Sequence, residues 1–419
     1  MIVGTSQIDI TPRPGIELAG FAVRPQPSIE VLDPLAVRGL YLEDGRERLL
    51  WLHADLLAFD APFVEEIRRS VERECGIPAS RVLLVATHTH SGPASVSANC
   101  IGSVDPNYLE WLKERLLLAA RGCLTNREQC HALPVQGRVE LGVDRRQFAS
   151  AHTDPRLGAV GLRRSDGTFK AVLLSYSMHP VCLRGSWISA DWPGETARIL
   201  LDALPGRPTV LVSSGACGNI DPPQVGVQPE QMRAWGRSVA DGVLPKFQTA
   251  AHDASPAPTT FRAASTIVSL PLENWSISQI DEHADRCLAD SAGRQEFHEA
   301  FALAVERWRK TMIDRAMRRE PPFTPAEISG VRLGQTVFVA VNAEIFSRFT
   351  ELVCGGRDDA IYTVGCANGM IGYVPTAAAY QEGAYEVEWS MLFCNRPRPR
   401  SGGLELLAEH ARRLIAALL

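Results

Sequence analysis

Two histidines one residue apart, His88 and His90, lie in Thr87-His88-Thr89-His90-Ser91-Gly92-Pro93, directly after the apolar run 81–86. A neutral imidazole is a good zinc ligand, and residues i and i+2 of an extended segment face the same side. The spacing therefore predicts a metal site whose remaining ligands come from elsewhere in the chain. The competing reading is a pair of histidines satisfied by nearby carbonyls or carboxylates. The same juxtaposition of apolar run and polar residue recurs. His179, in Met178-His179-Pro180, follows the run 169–175, and a plain turn is its alternative. Asn219 and Asp221 follow the run 208–213 through Ser214-Gly215-Ala216-Cys217-Gly218, small residues that let backbone approach a ligand, or that simply turn a strand into a helix. Glu344 follows the run 337–341. A carboxylate beside buried strand residues is costly unless it is paired or bound to metal. Its alternative is a helix-start charge, because 345–353 has a helical pattern.

Each of these residues needs an element to place it. Residues 37–41 and 49–53 read as strands joined by the turn Glu43-Asp44-Gly45, the second ending at Asp55. A helix follows over 61–75, with Phe63, Ile67 and Val71 at helical spacing, and then the buried strand 81–86. Strand, helix, strand is an α/β beginning. Residues 107–123 form a second helix, and 159–162 with 169–175 form a hairpin about Ser165-Asp166-Gly167. Residues 331–333 and 337–341 form another about Gly334, and the charged stretch 279–318 is a helical insertion of about 276–319. The Ala-, Pro- and Thr-rich stretch 250–260 is linker-like without dividing domains. The expectation is one domain over 1–419, a mixed β-sheet flanked by helices. In open α/β sheets ligands bind beyond the carboxyl ends of the strands, where these polar residues would converge.

Composition narrows the function classes. Of 419 residues 45% are hydrophobic and 22% charged, enough apolar surface for a sizeable core. The formal net charge of -5 gives no electrostatic footprint for nucleic acid or an anionic membrane. No apolar run approaches the ~20 residues that span a bilayer, so no membrane insertion is expected. The opening residues lack a basic segment followed by an apolar one. The ten cysteines are scattered singly with no CxxC pair, which predicts reduced thiols and a cytoplasmic protein.

The order and wording of these clusters resemble the neutral/alkaline ceramidase family, zinc-dependent amidases. The resemblance runs from Gly4-Thr5-Ser6-Gln7-Ile8-Asp9-Ile10-Thr11-Pro12 to about residue 391 and includes Leu18-Ala19-Gly20-Phe21. The His88 and His90 segment is similar to the family's zinc motif, and Met178-His179-Pro180 to the block supplying its second zinc histidine. Gly142-Val143-Asp144-Arg145 resembles the family's Asn-Arg segment. Asn342-Ala343-Glu344 stands where the family has a zinc-binding Gly-Glu. Asn368-Gly369-Met370-Ile371-Gly372-Tyr373 and Ala384-Tyr385-Glu386 resemble its closing tyrosine blocks. The resemblance implies a ceramidase-like α/β catalytic domain with zinc ligands His88, His179, Glu344 and Tyr373, and with His90, Arg145 and Tyr385 facing the substrate.

The chain departs from the family where Gly-Asp-Val-Ser-Pro becomes Gly218-Asn219-Ile220-Asp221-Pro222. Asp221 replaces the serine, which removes a serine-based covalent route and leaves one through zinc and water. Ala94-Ser95 replaces glycines, and the family's C-terminal immunoglobulin-like domain has no counterpart. The implied function is zinc-dependent hydrolysis of a non-peptide amide in a small acyl compound. Tyr385 and Arg145 would stabilise the oxyanion and His90 or Asp221 would move the proton. Asp55 and Asp191 are candidates to orient the histidines. The alternatives are a metal-dependent esterase or lactonase, an acyl-transfer or cyclisation enzyme, and an inactive zinc-binding protein.

Overall fold

The strand Val82–Ala86 is buried at every position, as an apolar run must be when both faces of its sheet are covered. It is the edge of the first of three mixed sheets. The computed structural model describes residues 1–22, 24, 26–250, 259–291, 295–357 and 360–419. In the first sheet Val82–Ala86 runs parallel to Arg48–Ala54, with the helix Ala61–Cys75 between them in sequence. Ala36–Glu43 and Ile2–Asp9 add antiparallel strands, and Glu128–Gln129 closes the far edge. The second sheet has the order Thr209–Ser214, Phe169–Tyr176, Arg156–Arg163, His131–Arg138. Its first two strands are parallel. The third has the order Phe261–Pro271, Phe323–Leu333, Thr336–Val341, Ile361–Val364, and its last two strands are parallel.

The single expected sheet is thus divided in three, each with one parallel pair. One face of every sheet points to a shared interior where Trp51, Leu83, Val160, Leu173, Phe338 and Tyr362 pack together. Helices cover the outer faces. Ala61–Cys75 and Pro106–Thr125 cover the first sheet, Asp191–Ala203 and Pro229–Asp241 the second, and Arg348–Cys354 and Gly403–Leu418 the third. Hydrogen bonds tie the sheets where their parallel pairs end. Ala86 N donates to Cys366 O at 3.1 Å, Gly365 N to Ser214 O at 2.9 Å, and Ser214 Oγ to Thr87 O at 2.7 Å.

The expected helical insertion is two helices, Ile277–Ser291 and Gln295–Met317. They connect Phe261–Pro271 to Phe323–Leu333, which pair antiparallel along their whole length. The insertion is therefore the loop of a hairpin, and it packs against Met391, Leu392 and Phe393. The linker-like stretch 250–260 lies largely outside the described residues. Among the described residues no helix is long and apolar enough to cross a membrane.

Asp55 and Asp191 turn out to hold backbone rather than histidines. Asp55 is buried in an ion pair with Arg38 at 2.8 Å and accepts from Ala36 N at 2.9 Å, locking two neighbouring strands. Asp191 opens the helix Asp191–Ala203 at φ 54° and accepts from the N–H groups of Trp192 at 2.6 Å and Leu183 at 3.3 Å. Burial raises its pKa to about 6, its hydrogen bonds only partly opposing this. A carboxyl raised above its unfolded value near ~3.9 stabilises the fold below that value and loses the contribution as pH rises through the folded one. Denaturant unfolding at about pH 4.5 and pH 7.5 should therefore show wild type gaining on the order of 2 kcal/mol relative to Asp191→Asn at the lower pH. An equal gap at both pH values would remove Asp191 from this role.

Candidate metal centre

His88, His179 and Glu344 arrive from three different sheets. They follow the strands Val82–Ala86, Phe169–Tyr176 and Thr336–Val341, one member of each parallel pair. All three are buried, and their ligand atoms lie within 4.8 Å of one another. Glu344 Oε2 is 3.2 Å from His88 Nε2 and 3.2 Å from His179 Nε2.

The histidine tautomers follow from their neighbours. His88 Nδ1 lies 2.8 Å from Leu57 O, and His179 Nδ1 lies 3.3 Å from Ile220 O. A carbonyl only accepts, so each Nδ1 donates and each Nε2 turns towards Glu344. Two ring nitrogens and a carboxylate oxygen aimed at one point need a cation between them, either a proton or a metal ion. His88 Nε2 has no hydrogen-bond partner although it is buried. Ligand bonds of 2.0–2.2 Å in tetrahedral array set ligand atoms about 3.3–3.6 Å apart, close to the 3.2 Å that separates Glu344 Oε2 from each Nε2. The residues present therefore fit a divalent ion. Without one, contacts with Cys217 and Glu344 outweigh burial and hold His179 well above its usual pKa. Burial alone would raise the Glu344 carboxyl, but the charge of His88 and the hydrogen bond with His179 hold it well below its usual range.

Two departures from extended geometry shape the centre. His88 has φ 69°, so the His-Thr-His segment is not the extended strand expected, and the two imidazoles meet edge to face at 4.9 Å. Only His88 joins the ligand cluster. His90 forms a wall beside it, its Nδ1 donating to His88 O at 3.1 Å. Gly20, at φ 100°, makes room for that ring, because a Cβ there would stand 2.4 Å from it. Gly218 brings its turn against Glu344 in the same way, since an added Cβ would lie 2.6 Å from Glu344 O.

Tyr373 is the direct partner of Glu344 in a short parallel ladder, Glu344–Ile345 with Tyr373–Val374. Its ring lies 6.5 Å from that of His179, tilted by 24°. Burial and then the Glu344 charge raise its phenol well above the usual range, so Tyr373 is a hydroxyl beside the carboxylate rather than a preformed phenolate.

Arg145 is the hub of the outer ring. The ladder Val143–Asp144 with Ile220–Asp221 places it, and its N–H donates to Asn219 O at 3.1 Å. The guanidinium donates to Glu386 Oε1 at 2.8 Å, Asp221 Oδ1 at 2.9 Å, Gly218 O at 2.7 Å and Tyr373 Oη at 3.4 Å. Asp221 Oδ1 is also 3.9 Å from His179 Nδ1. Tyr385, 44% exposed, stands edge-on to Tyr373 at 6.1 Å and forms the outer wall. Together these groups surround a cavity of about 240 Å³ that reaches His88 and Glu344.

The structure thus gathers eight of the sequence-indicated residues, His88, His90, Arg145, His179, Asp221, Glu344, Tyr373 and Tyr385, around one cavity or its floor, and leaves Asp55 and Asp191 outside it. Sequence reasoning missed Glu386, the buried second carboxylate on Arg145. Its signal was its position next to Tyr385. It also missed Cys217 and Cys366, adjacent buried thiols, the first of which meets His179. Their distance in sequence hides the pair.

Comparison with protein-family models and with curated proteins gives no match. Among solved structures, neutral ceramidase from Pseudomonas aeruginosa superposes with a TM-score of 0.72 at 14% identity, covering 99% of this chain and 74% of that one. A ceramidase complexed with C2 aligns with a TM-score of 0.71 at 14% identity, over 99% and 75% of the two chains. The chain has a ceramidase-like fold.

Loss of one of so few ligands should weaken metal binding strongly. Metal analysis after dialysis should find about one ion per wild-type chain and a small fraction of that in His88→Ala and His179→Ala. Full occupancy in both variants would show the ion to lie elsewhere.

Proposed function

We propose that this chain, built on the fold it shares with neutral ceramidase, is a zinc-dependent hydrolase of a non-peptide amide in a small acyl compound. The observation that carries the reading is the convergence of His88 Nε2, His179 Nε2 and Glu344 Oε2, with both Nδ1 atoms committed to carbonyls, on the floor of an open cavity. Two histidines and one carboxylate form a donor set that suits zinc and leaves a coordination position free. When bound, the ion makes water nucleophilic near neutral pH and polarises an acyl oxygen.

The chain's own groups supply the rest. Glu344 stays ionised and the Leu57 and Ile220 carbonyls fix the two imidazoles, so the donor set is organised before substrate arrives. Tyr385 and Arg145 present O–H and N–H donors on the cavity wall, where a developing oxyanion would be held. Burial, then the charges of His88 and His179, push His90 well below its usual pKa. It therefore remains neutral and offers Nε2 as an acceptor for a water or a leaving amine. Arg145 engages Asp221 at Oδ1, and in this reading the other carboxylate oxygen takes a proton from water and returns it to the amine. Amide and water then become acid and amine with no serine required.

A cavity of about 240 Å³ suits a compact acyl group better than two long chains. The ten free cysteines suit a reducing compartment, in keeping with a cytoplasmic enzyme. The same apparatus would attack an acyl–oxygen bond, so N-acyl amides and their matched esters must be assayed side by side. Zinc-loaded protein should cleave short N-acyl amides, lose activity with a chelator and regain it with zinc. Turnover of esters alone would replace the amidase reading with an esterase, and zinc binding without turnover of either would leave a binding protein. Tyr385→Phe should keep its zinc and lose about 100-fold or more in kcat, as expected for one oxyanion donor. A near-wild-type kcat would exclude Tyr385 from the chemistry.

A further inference from the structure

A groove of about 680 Å³ opens beside the metal pocket, between the N-terminal loop and the inserted helix Gln295–Met317. Phe21 lines both. On one side its ring meets His90 edge-on, with centroids 5.3 Å apart. Two guanidiniums lie over the same ring, Arg24 at 5.0 Å and Arg184 at 5.9 Å from the centroid. Arg24 donates to the backbone carbonyls of His90 and Gly185, and to that of Arg184 at 3.4 Å. These carbonyls satisfy N–H groups but leave the positive charge uncompensated. Arg24 Nε is buried without a hydrogen-bond partner. Among the described residues no carboxylate acts on Arg24. Burial first, and then Arg184, bring its pKa down to about 10, which leaves it charged at neutral pH. Two like charges meet one aromatic ring, and the groove wall adds a third arginine, Arg307. Glu17 also lines the groove, but its Oε2 accepts from Ser103 N at 2.8 Å.

Arg24 is partly buried beside the exposed Arg184, and a desolvated guanidinium facing a second positive charge without a counter-ion is costly unless an anion completes it. We propose that Arg24 and Arg184 form a recognition subsite for an anionic group of the substrate, so that the enzyme selects acyl amides bearing a carboxylate. The proposal rests on the amide-hydrolase reading, and it names the substrate class for that site. Leu18 and Leu303, the latter 52% exposed, give the groove apolar surface for the short stem that joins amide to carboxylate. Arg24 holds the carbonyl of His90, so an anion on the arginine pair lies next to the wall of the reaction cavity.

The test is a matched pair of hydrolysis-resistant ligands, N-(hexylsulfonyl)glycine and its uncharged glycinamide, titrated into the metal-loaded full chain by calorimetry. The acid should bind about tenfold more tightly than the amide, as for one charge-assisted contact, and the advantage should shrink with added salt. In Arg24→Gln the ratio should fall towards one. Arg184 is exposed, so Arg184→Gln removes charge without disturbing the packing, and it should cut the ratio severalfold with the metal retained. This separates the arginines from any direct carboxylate contact with the ion. A ratio near one in wild type, absence of binding by the acid, or an unchanged ratio in both variants would overturn the subsite. Failure to hydrolyse any amide, with the ratio and its loss intact, would overturn the hydrolase reading alone.

Discussion

A carboxylate buried between two imidazoles sets the terms for everything around it. Glu344 is 7% exposed and carries charge, and its partners come from two other sheets. A buried charge of this kind is tolerable only when its partners are held in place. Much of the local architecture does that holding. The Leu57 and Ile220 carbonyls fix the histidine rings, and the ladder to Tyr373 fixes the backbone of Glu344. The missing side chain of Gly218 lets a turn of the second sheet touch the third. The three parallel pairs end at the same place, and hydrogen bonds between Ala86, Cys366, Gly365 and Ser214 keep those ends together. The shared apolar interior behind them makes this rigid, since close-packed side chains leave little room for the sheets to slide.

Outside that centre, Arg145 organises a second ring of charge. It gathers Asp221 and Glu386, and also touches Tyr373, the partner of Glu344. The two rings share that tyrosine, so the geometry of the outer donors is tied to the geometry of the His88, His179 and Glu344 cluster. Such continuity is what preorganised electrostatic stabilisation requires, because donors that must move into place give up part of their effect. Asp221 is therefore less a free base than a member of a guanidinium network with one oxygen to spare.

The three converging residues His88, His179 and Glu344 were legible because each stands where an apolar run stops, and a polar residue at such a boundary has few inexpensive roles. The hairpins about Gly167 and Gly334 and the helix over 61–75 were legible from short-range patterning alone. Division into three sheets was not, since the apolar runs are alike and nothing local says which strands share a sheet. Helix Gly403–Leu418 and strand Phe261–Pro271 went unnamed, the latter because its buried and exposed positions alternate only in part. The His-Thr-His segment was expected to turn both imidazoles to one side of an extended strand, and only His88 joins the cluster that could hold a metal. Residue spacing cannot reveal that His88 turns to positive φ to reach its partners. Glu386 and the thiols of Cys217 and Cys366 escaped because their roles exist only across long sequence separations.

The guanidinium of Arg145 also constrains how the chain can change through descent. Two carboxylates, a carbonyl and a phenol take up four of its five N–H donors in a planar fork that a lysine ammonium cannot reproduce. A lineage that exchanged Asp221 for serine would leave the network one negative charge short, and one that lost Arg145 would strand Glu386 as a buried anion. A change at either position alters the charge that Glu386 and the guanidinium meet. Positions 145, 221 and 386 should therefore be inherited as a set, and their joint state would mark a branch of ceramidase-like folds more sharply than overall identity does.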